Sequence, residues 1–194
     1  MGVAGTAHAA FQGRDATGAA ISTCTAKEAD KCTYYYDTTL DITILNDWNI
    51  GRSSWSASAA PGSAQALAAS AGLTASGLTG CVLPTGDGEA AEGAQNQSAS
   101  IKSSVGNSFA GLSGQFDGVQ FFEYWSGTAF PRIASSAWSF FAGATVIPET
   151  QGSSFFAVAL RPGDVVVAVP EPQTYALMLV GLGALLLAQR RRLR

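Results

Sequence analysis

Along most of this chain, apolar and polar positions alternate in short blocks broken by turn residues. Leu40, Ile42 and Ile44 alternate with Asp41 and Thr43, so Leu40–Leu45 reads as a half-buried strand. Thr33–Thr38 precedes it as a second strand, and Asn46-Asp47-Trp48-Asn49 ends the pair in a turn. An alanine-rich segment from Pro61 to Ala71 predicts a short helix, with proline at its start and Gly72 at its end. Gly80–Thr85 reads as a buried strand leading into a loop. Residues 86–118, rich in Gly, Ser and Gln around an acidic cluster (Asp87, Glu89, Glu92), read as a long irregular excursion. Val119–Thr128 and Ala137–Phe141 are aromatic-dense strands. Ser154–Leu160, apolar on both faces, predicts a strand central in a sheet, closed by a turn at Arg161-Pro162-Gly163-Asp164. From Tyr175 to Ala188 the alternation stops and 14 residues run without a charge.

That last run defines the tail. Pro170 and Pro172 are excluded from a helix interior but fit a first turn, and Glu171 places negative charge at the positive end of the helix dipole. As a helix, 14 residues span about 21 Å, short of the roughly 30 Å core of a bilayer. Snorkelling arginines and local thinning make up such a difference. Leu177, Met178, Leu179, Val180, Leu182, Leu185, Leu186 and Leu187 cover the whole circumference, which an amphipathic surface helix would not. Arg190, Arg191, Arg192 and Arg194 follow and should stay on the cytoplasmic side, placing everything before Pro170 outside. The expected span is about residues 173–189.

Composition and charge sharpen the division. The 194 residues suit one domain plus a tail, and 47% hydrophobic content with 13% charge is too apolar for a disordered chain. Residues 170–194 carry +3 (four arginines and Glu171), so a total of −3 leaves −6 on residues 1–169. An acidic exterior domain argues against nucleic acid as a partner. Residues 1–10 resemble the end of a secretory signal, with Ala7-His8-Ala9 as a small-x-small cleavage pattern; a signal remnant or a flexible tail is expected there. Cys24 and Cys32 flank a short polar loop and are a candidate disulfide in an exported protein, leaving Cys81 as the odd thiol.

Catalytic chemistry finds little purchase in these residues. His8 is the single histidine and lies in the expected signal remnant, so no Ser-His-Asp or Cys-His device is available downstream. The pairs Asp87/Glu89 and Asp37/Asp41 read as solvated acids. Neither a metal nor a cofactor is expected, although Asp41, Asn46, Asp47 and Asn49 offer hard oxygen atoms of the kind calcium takes. Among the aromatics, Trp125 and Trp138 sit in strands with phenylalanine neighbours and should be core. Trp48 and Trp55 lie in turn-rich sequence and are the candidate platforms on which sugar rings would stack. Asn96-Gln97-Ser98 is a formal glycosylation sequon without supporting context.

The tail resembles the PEP-CTERM sorting signal of bacterial exosortase substrates, on Val169-Pro170-Glu171-Pro172, Thr174, Ala176-Leu177-Met178-Leu179, Gly181-Leu182-Gly183 and the arginines. The resemblance implies a transient inner-membrane anchor and cutting near the Pro-Glu-Pro by an exosortase. Residues 11–169 are similar to a module of such proteins related to the C-terminal domain of the collagen-like adhesin Lcl. The similarity lies on Phe11-Gln12-Gly13-Arg14-Asp15, Tyr36-Asp37-Thr38, Leu40-Asp41-Ile42-Thr43, Leu83-Pro84-Thr85, Tyr124-Trp125-Ser126-Gly127-Thr128, Ala137-Trp138 and Phe156–Asp164. Family members read Trp-Arg where this chain has Cys81-Val82, and carry a Trp-rich helix in place of Ala64–Ala71. This second resemblance implies a compact α+β, C-type-lectin-like domain with an antiparallel sheet, one short helix and long loops. The resulting expectation is a non-enzymatic surface or matrix protein whose ligand class is extracellular polysaccharide. Its competitors are a purely structural surface protein and a matrix-modifying enzyme.

Overall fold

The computed structural model describes residues 11–21, 32–76, 79–142 and 146–165. The ten strands within them form two five-stranded sheets. The first sheet contains β1 (Phe11–Arg14), β2 (Ala20–Ile21), β3 (Tyr34–Asp37), β4 (Ile42–Leu45) and β10 (Leu160–Pro162), in the order β10-β4-β3-β1-β2 and antiparallel throughout. The second contains β5 (Arg52–Ser53), β6 (Glu123–Ala129), β7 (Ser136–Phe141), β8 (Val146–Thr150) and β9 (Phe155–Phe156), in the order β5-β9-β6-β7-β8. Its one parallel contact sets Tyr124 of β6 beside Phe156 of β9.

The first sheet is covered on both faces. Successive side chains of a strand point to opposite sides, so Tyr35 enters one apolar cluster and Tyr34 the other. Likewise Ile42 and Ile44 join the first cluster and Leu45 the second. All four residues of β4 are buried, because β10 and β3 flank it and Thr43 satisfies its hydroxyl on the Gly163 carbonyl (2.7 Å). The half-buried strand expected from the Leu40–Leu45 alternation is therefore a fully buried one.

Trp48 is the hub of the first cluster. Its ring stacks on Phe116 (4.8 Å) and meets Tyr124 and Phe140 edge-on at 5.4 and 6.4 Å. The second cluster gathers Trp55, Trp125, Leu83, Cys81 and Val165 against Ala64 and Ala68. Those two alanines belong to helix α1 (Ala64–Ser76), whose small side chains let it pack closely. Its first turn is capped by Ser63, whose Oγ accepts from Ala66 N, so the helix starts three residues after Pro61 and runs through Gly72.

The segment read as one irregular excursion contains two helices, α2 (Gln97–Ser104) and α3 (Phe109–Gln115). Each has its own N-cap: the Asn96 side chain accepts from Ala99 N, and Ser108 from Gly111 N. Asn96 of the formal sequon is thus a buried capping residue. Gly111 is required by closeness, since a Cβ there would fall 1.8 Å from the Val105 carbonyl oxygen.

Two other expectations change. Ser154–Leu160 is not one central strand: Phe155–Phe156 pairs in the second sheet and Leu160 onward in the first, so the chain crosses between sheets through Ala157-Val158-Ala159. Gly80–Thr85 contributes an isolated bridge, Val82 opposite Leu160, with Val82 itself 48% exposed. At the far border of the second sheet, β8 carries Pro148 opposite Trp138 of β7. In place of one antiparallel sheet and one short helix, the α+β domain has two sheets and three helices among the described residues.

Candidate functional site

The structure brings the two ends of the domain together. The Arg14 guanidinium, at the end of β1, forks onto Asp164: Nε donates to Oδ1 at 3.0 Å and Nη2 to Oδ2 at 2.6 Å. Further bonds run from Nη2 to Gln12 Oε1 and from Nη1 to the Gly13 carbonyl, and the group lies 5.5 Å from the centre of the Tyr36 ring. Both side chains are largely withdrawn from water, with 7% and 18% left exposed. The bond to Asp164 raises the Arg14 pKa above its ordinary value, against the opposing cost of burial. The next residue, Val165, packs into the second cluster. The described fold is therefore fastened at its last residues, five positions before the Pro-Glu-Pro begins in the sequence. Val169, Pro170, Glu171, Pro172, Thr174 and the four arginines lie outside the described residues, as do the expected span at 173–189 and residues 1–10. Among the described residues, no helix is long and apolar enough to cross a membrane.

The two tryptophans expected to be exposed platforms are core residues. Trp48 is 1% exposed and Trp55 6%. Turn-rich sequence places their backbones at bends, but the rings fold inward: Trp48 fills the centre of an aromatic cluster, and Trp55 Nε1 donates to the Ser126 carbonyl at 2.8 Å. Trp125 and Trp138, expected inside, are buried as well. Among the described residues the exposed phenylalanine rings are instead Phe121 and Phe122, which no platform argument from tryptophan would have singled out.

The polar candidates are occupied with local structure. Asp37 Oδ1 accepts from Thr39 N and Leu40 N, and Asp41 Oδ1 from the Tyr36 hydroxyl. Asp47 Oδ1 accepts from Asn49 N in an Asx turn, while Asn46 bridges the Cys32 carbonyl and the Asp117 carboxylate. Asp87 Oδ1 accepts from Glu89 N, and Glu89 meets Arg132 at 2.6 Å on the surface. These carboxylates do what turn residues do, and among the described residues no group of three metal-ligating side chains assembles. A cavity of about 640 Å³ opens between Leu45, Ile50 and Leu67 on its apolar side and Asn46, Asp47 and Asp117 on its polar side.

Cys32 is disulfide-bonded; Cys24 lies outside the described residues. Cys81 is a free thiol, 5% exposed, and burial pushes its pKa up while Arg161 pulls the other way. A thiol held protonated and out of reach of solvent is a poor nucleophile. Native protein should therefore take up iodoacetamide at Cys81 slowly, and denatured protein rapidly. Fast native labelling would contradict this placement.

The described residues thus define an α+β unit fastened at Asp164 and Val165. Residues 168–192 match the family model of the PEP-CTERM protein-sorting motif. The motif marks this chain as an exported, membrane-processed protein sorted by an exosortase. No curated protein and no solved structure matches the chain.

Proposed function

We propose that this chain is a non-enzymatic surface or extracellular-matrix protein, delivered as a folded domain on a cleavable membrane tail. Residues 170–194 hold the precursor at the outer face of the inner membrane, with Arg190, Arg191, Arg192 and Arg194 inside. An exosortase then cuts near Pro170–Thr174 and the domain passes to the cell surface or matrix. The carrying observation is the sorting motif at residues 168–192. The domain boundary near Val169 is supported by Asp164 and Val165, which are fastened to β1 and to the core just before the motif begins.

A non-catalytic role is supported by a sequence whose one histidine is His8, and by carboxylates spent on turns. The lectin-like reading of residues 11–169 rests on the sequence resemblance, and the contact of Arg14 with Asp164 shows that the two ends of the described domain meet. Polysaccharide binding loses its named platforms with Trp48 and Trp55 buried, so we favour the structural surface role. We also assign Cys24 as the disulfide partner of Cys32.

The experiment follows a tagged chain in cells with and without an exosortase. Release should require the enzyme, and mass spectrometry of the released protein should place its new C-terminus near Pro170–Thr174. Neutral replacements of the four arginines should weaken retention and orientation. Equal release in both strains, with an intact C-terminus, would show an ordinary anchor and sink the sorting role.

A further inference from the structure

We propose that the aromatic surface around Phe121 and Phe122, with Arg52 at its side, is a membrane-contacting face that lays the domain on the outer leaflet of the bilayer holding its tail. The inference rests on the reading of that tail as a membrane anchor. Phe121 is 65% exposed and Phe122 36%, side by side in the bend that leads into β6. Neither is isolated. Phe121 meets Phe109 and Phe141 edge-to-face at 5.1 and 4.8 Å, and Phe122 meets Phe155 and Phe156 at 6.1 Å each. Two groups of three rings result, one of Phe121 with Phe109 of α3 and Phe141 of β7, the other of Phe122 with Phe155 and Phe156 of β9, joined through the adjacent positions 121 and 122 just before β6. Exposed rings grouped in this way mark an interaction site, whereas a single exposed ring does not.

Arg52 gives the patch its chemistry. Its guanidinium lies 4.4 Å from the Phe122 ring centre and 5.2 Å from that of Phe156. Nε and Nη2 both donate to the Ser154 carbonyl, which fixes the fork. Among the described residues, Nη1 has no hydrogen-bond acceptor and the group forms no ion pair. Phenylalanine rings bury at the boundary between headgroups and acyl chains, and an arginine beside them suits lipid phosphate. Apolar rings with a pre-oriented guanidinium at their border match that layered environment.

The length of chain beyond the fold selects the lipid surface over a soluble partner. Five residue steps separate Val165, the last described residue and one packed in the core, from Pro170. Fully extended they reach at most about 18 Å. A domain of about 150 residues has a radius of gyration near 15 Å, so the leash is about as long as the domain is wide from its centre. The tethered domain rolls on the bilayer but cannot leave it. A contact too weak to bind free protein to vesicles then acts at the high local concentration a short tether provides.

The test uses the full chain reconstituted into phosphatidylethanolamine/phosphatidylglycerol vesicles with brominated acyl chains, which quench tryptophan at bilayer depth. All four native tryptophans are buried, so they form a nearly constant background. Phe121→Trp places a reporter in the patch. Ile133→Trp, at a 52% exposed position at the opposite end of the β6–β7 hairpin, is the control. The Phe121→Trp variant should lose most of its added emission in brominated vesicles while the control keeps its own. Equal, unquenched emission from both, with the chain retained in the vesicle pellet, overturns the membrane face and leaves the anchor reading intact. Emission that depends on protein-to-lipid ratio instead of bromination assigns the patch to a second copy and overturns it too. A chain that fails to pellet with vesicles removes the anchor and this inference together.

Discussion

Replacing Trp48 with alanine should cost about 4 kcal/mol, within the range for deleting a large aromatic from a packed core. The ring is 1% exposed and makes contact with Phe116, Tyr124 and Phe140 at once, so its removal opens the centre of a cluster that joins the first sheet to the second. The same site offers a sharper comparison. Trp48 Nε1 is buried without a hydrogen-bond partner, whereas Trp125 Nε1 donates to the Ser53 carbonyl at 2.8 Å. Trp48→Phe removes an unsatisfied donor together with some packing. Trp125→Phe removes comparable packing and also strands a carbonyl, a loss of about 1 kcal/mol or more. Urea denaturation should rank the two phenylalanine variants with Trp125→Phe the less stable. The reverse order would mean that the Trp48 N–H has a partner in solution.

Arg14→Ala should destabilise the domain by about 3 kcal/mol, because it leaves the Asp164 carboxylate without its counter-charge in a largely buried position. Arg14→Lys should recover only part of the loss, since a lysine ammonium cannot reproduce the two-pronged contact through Nε and Nη2. The double replacement Arg14→Met, Asp164→Leu should lie much closer to the unaltered protein than either single truncation, as expected when most of the cost is an orphaned charge. Denaturant midpoints of the set measure this directly. Additive losses in the double variant would refute the coupling. Because Asp164 sits where the fold hands over to the tail, limited proteolysis should also show Arg14→Ala opening first near residues 160–165.

How much of this was legible in the sequence depended on how local the determining physics was. The tail is a one-dimensional signal: Pro-Glu-Pro, an apolar run and arginines declare themselves without any knowledge of packing, and the motif match falls on the same residues. Strands β3, β4, β6 and β7 were visible through aromatic and β-branched runs. Helices α2 and α3 were missed because their sequences are polar, small and glycine-containing, and their stability comes from caps at Asn96 and Ser108 and from burial of Ile101 and Leu112. An Asn and a Ser, each capping a backbone N–H three residues on, were the available signal. The single strand read over Ser154–Leu160 failed for another reason: hydrophobicity on both faces is produced equally by a chain passing between two sheets. The exposure of Trp48 and Trp55 failed because turn-forming neighbours constrain the backbone, whereas the destination of a large ring is set by cavities formed by residues far away in the chain.

The proline in β8 bears on crowding. Edge strands present unpaired backbone groups to whatever lies alongside, including another molecule of the same kind. Pro148, third of the five residues of β8, has no N–H to offer, so the free border of the second sheet is broken in its middle. A foreign strand laid along it could form at most a short, interrupted ladder. That sheet margin is thereby kept from serving as a template for strand addition by a neighbouring molecule.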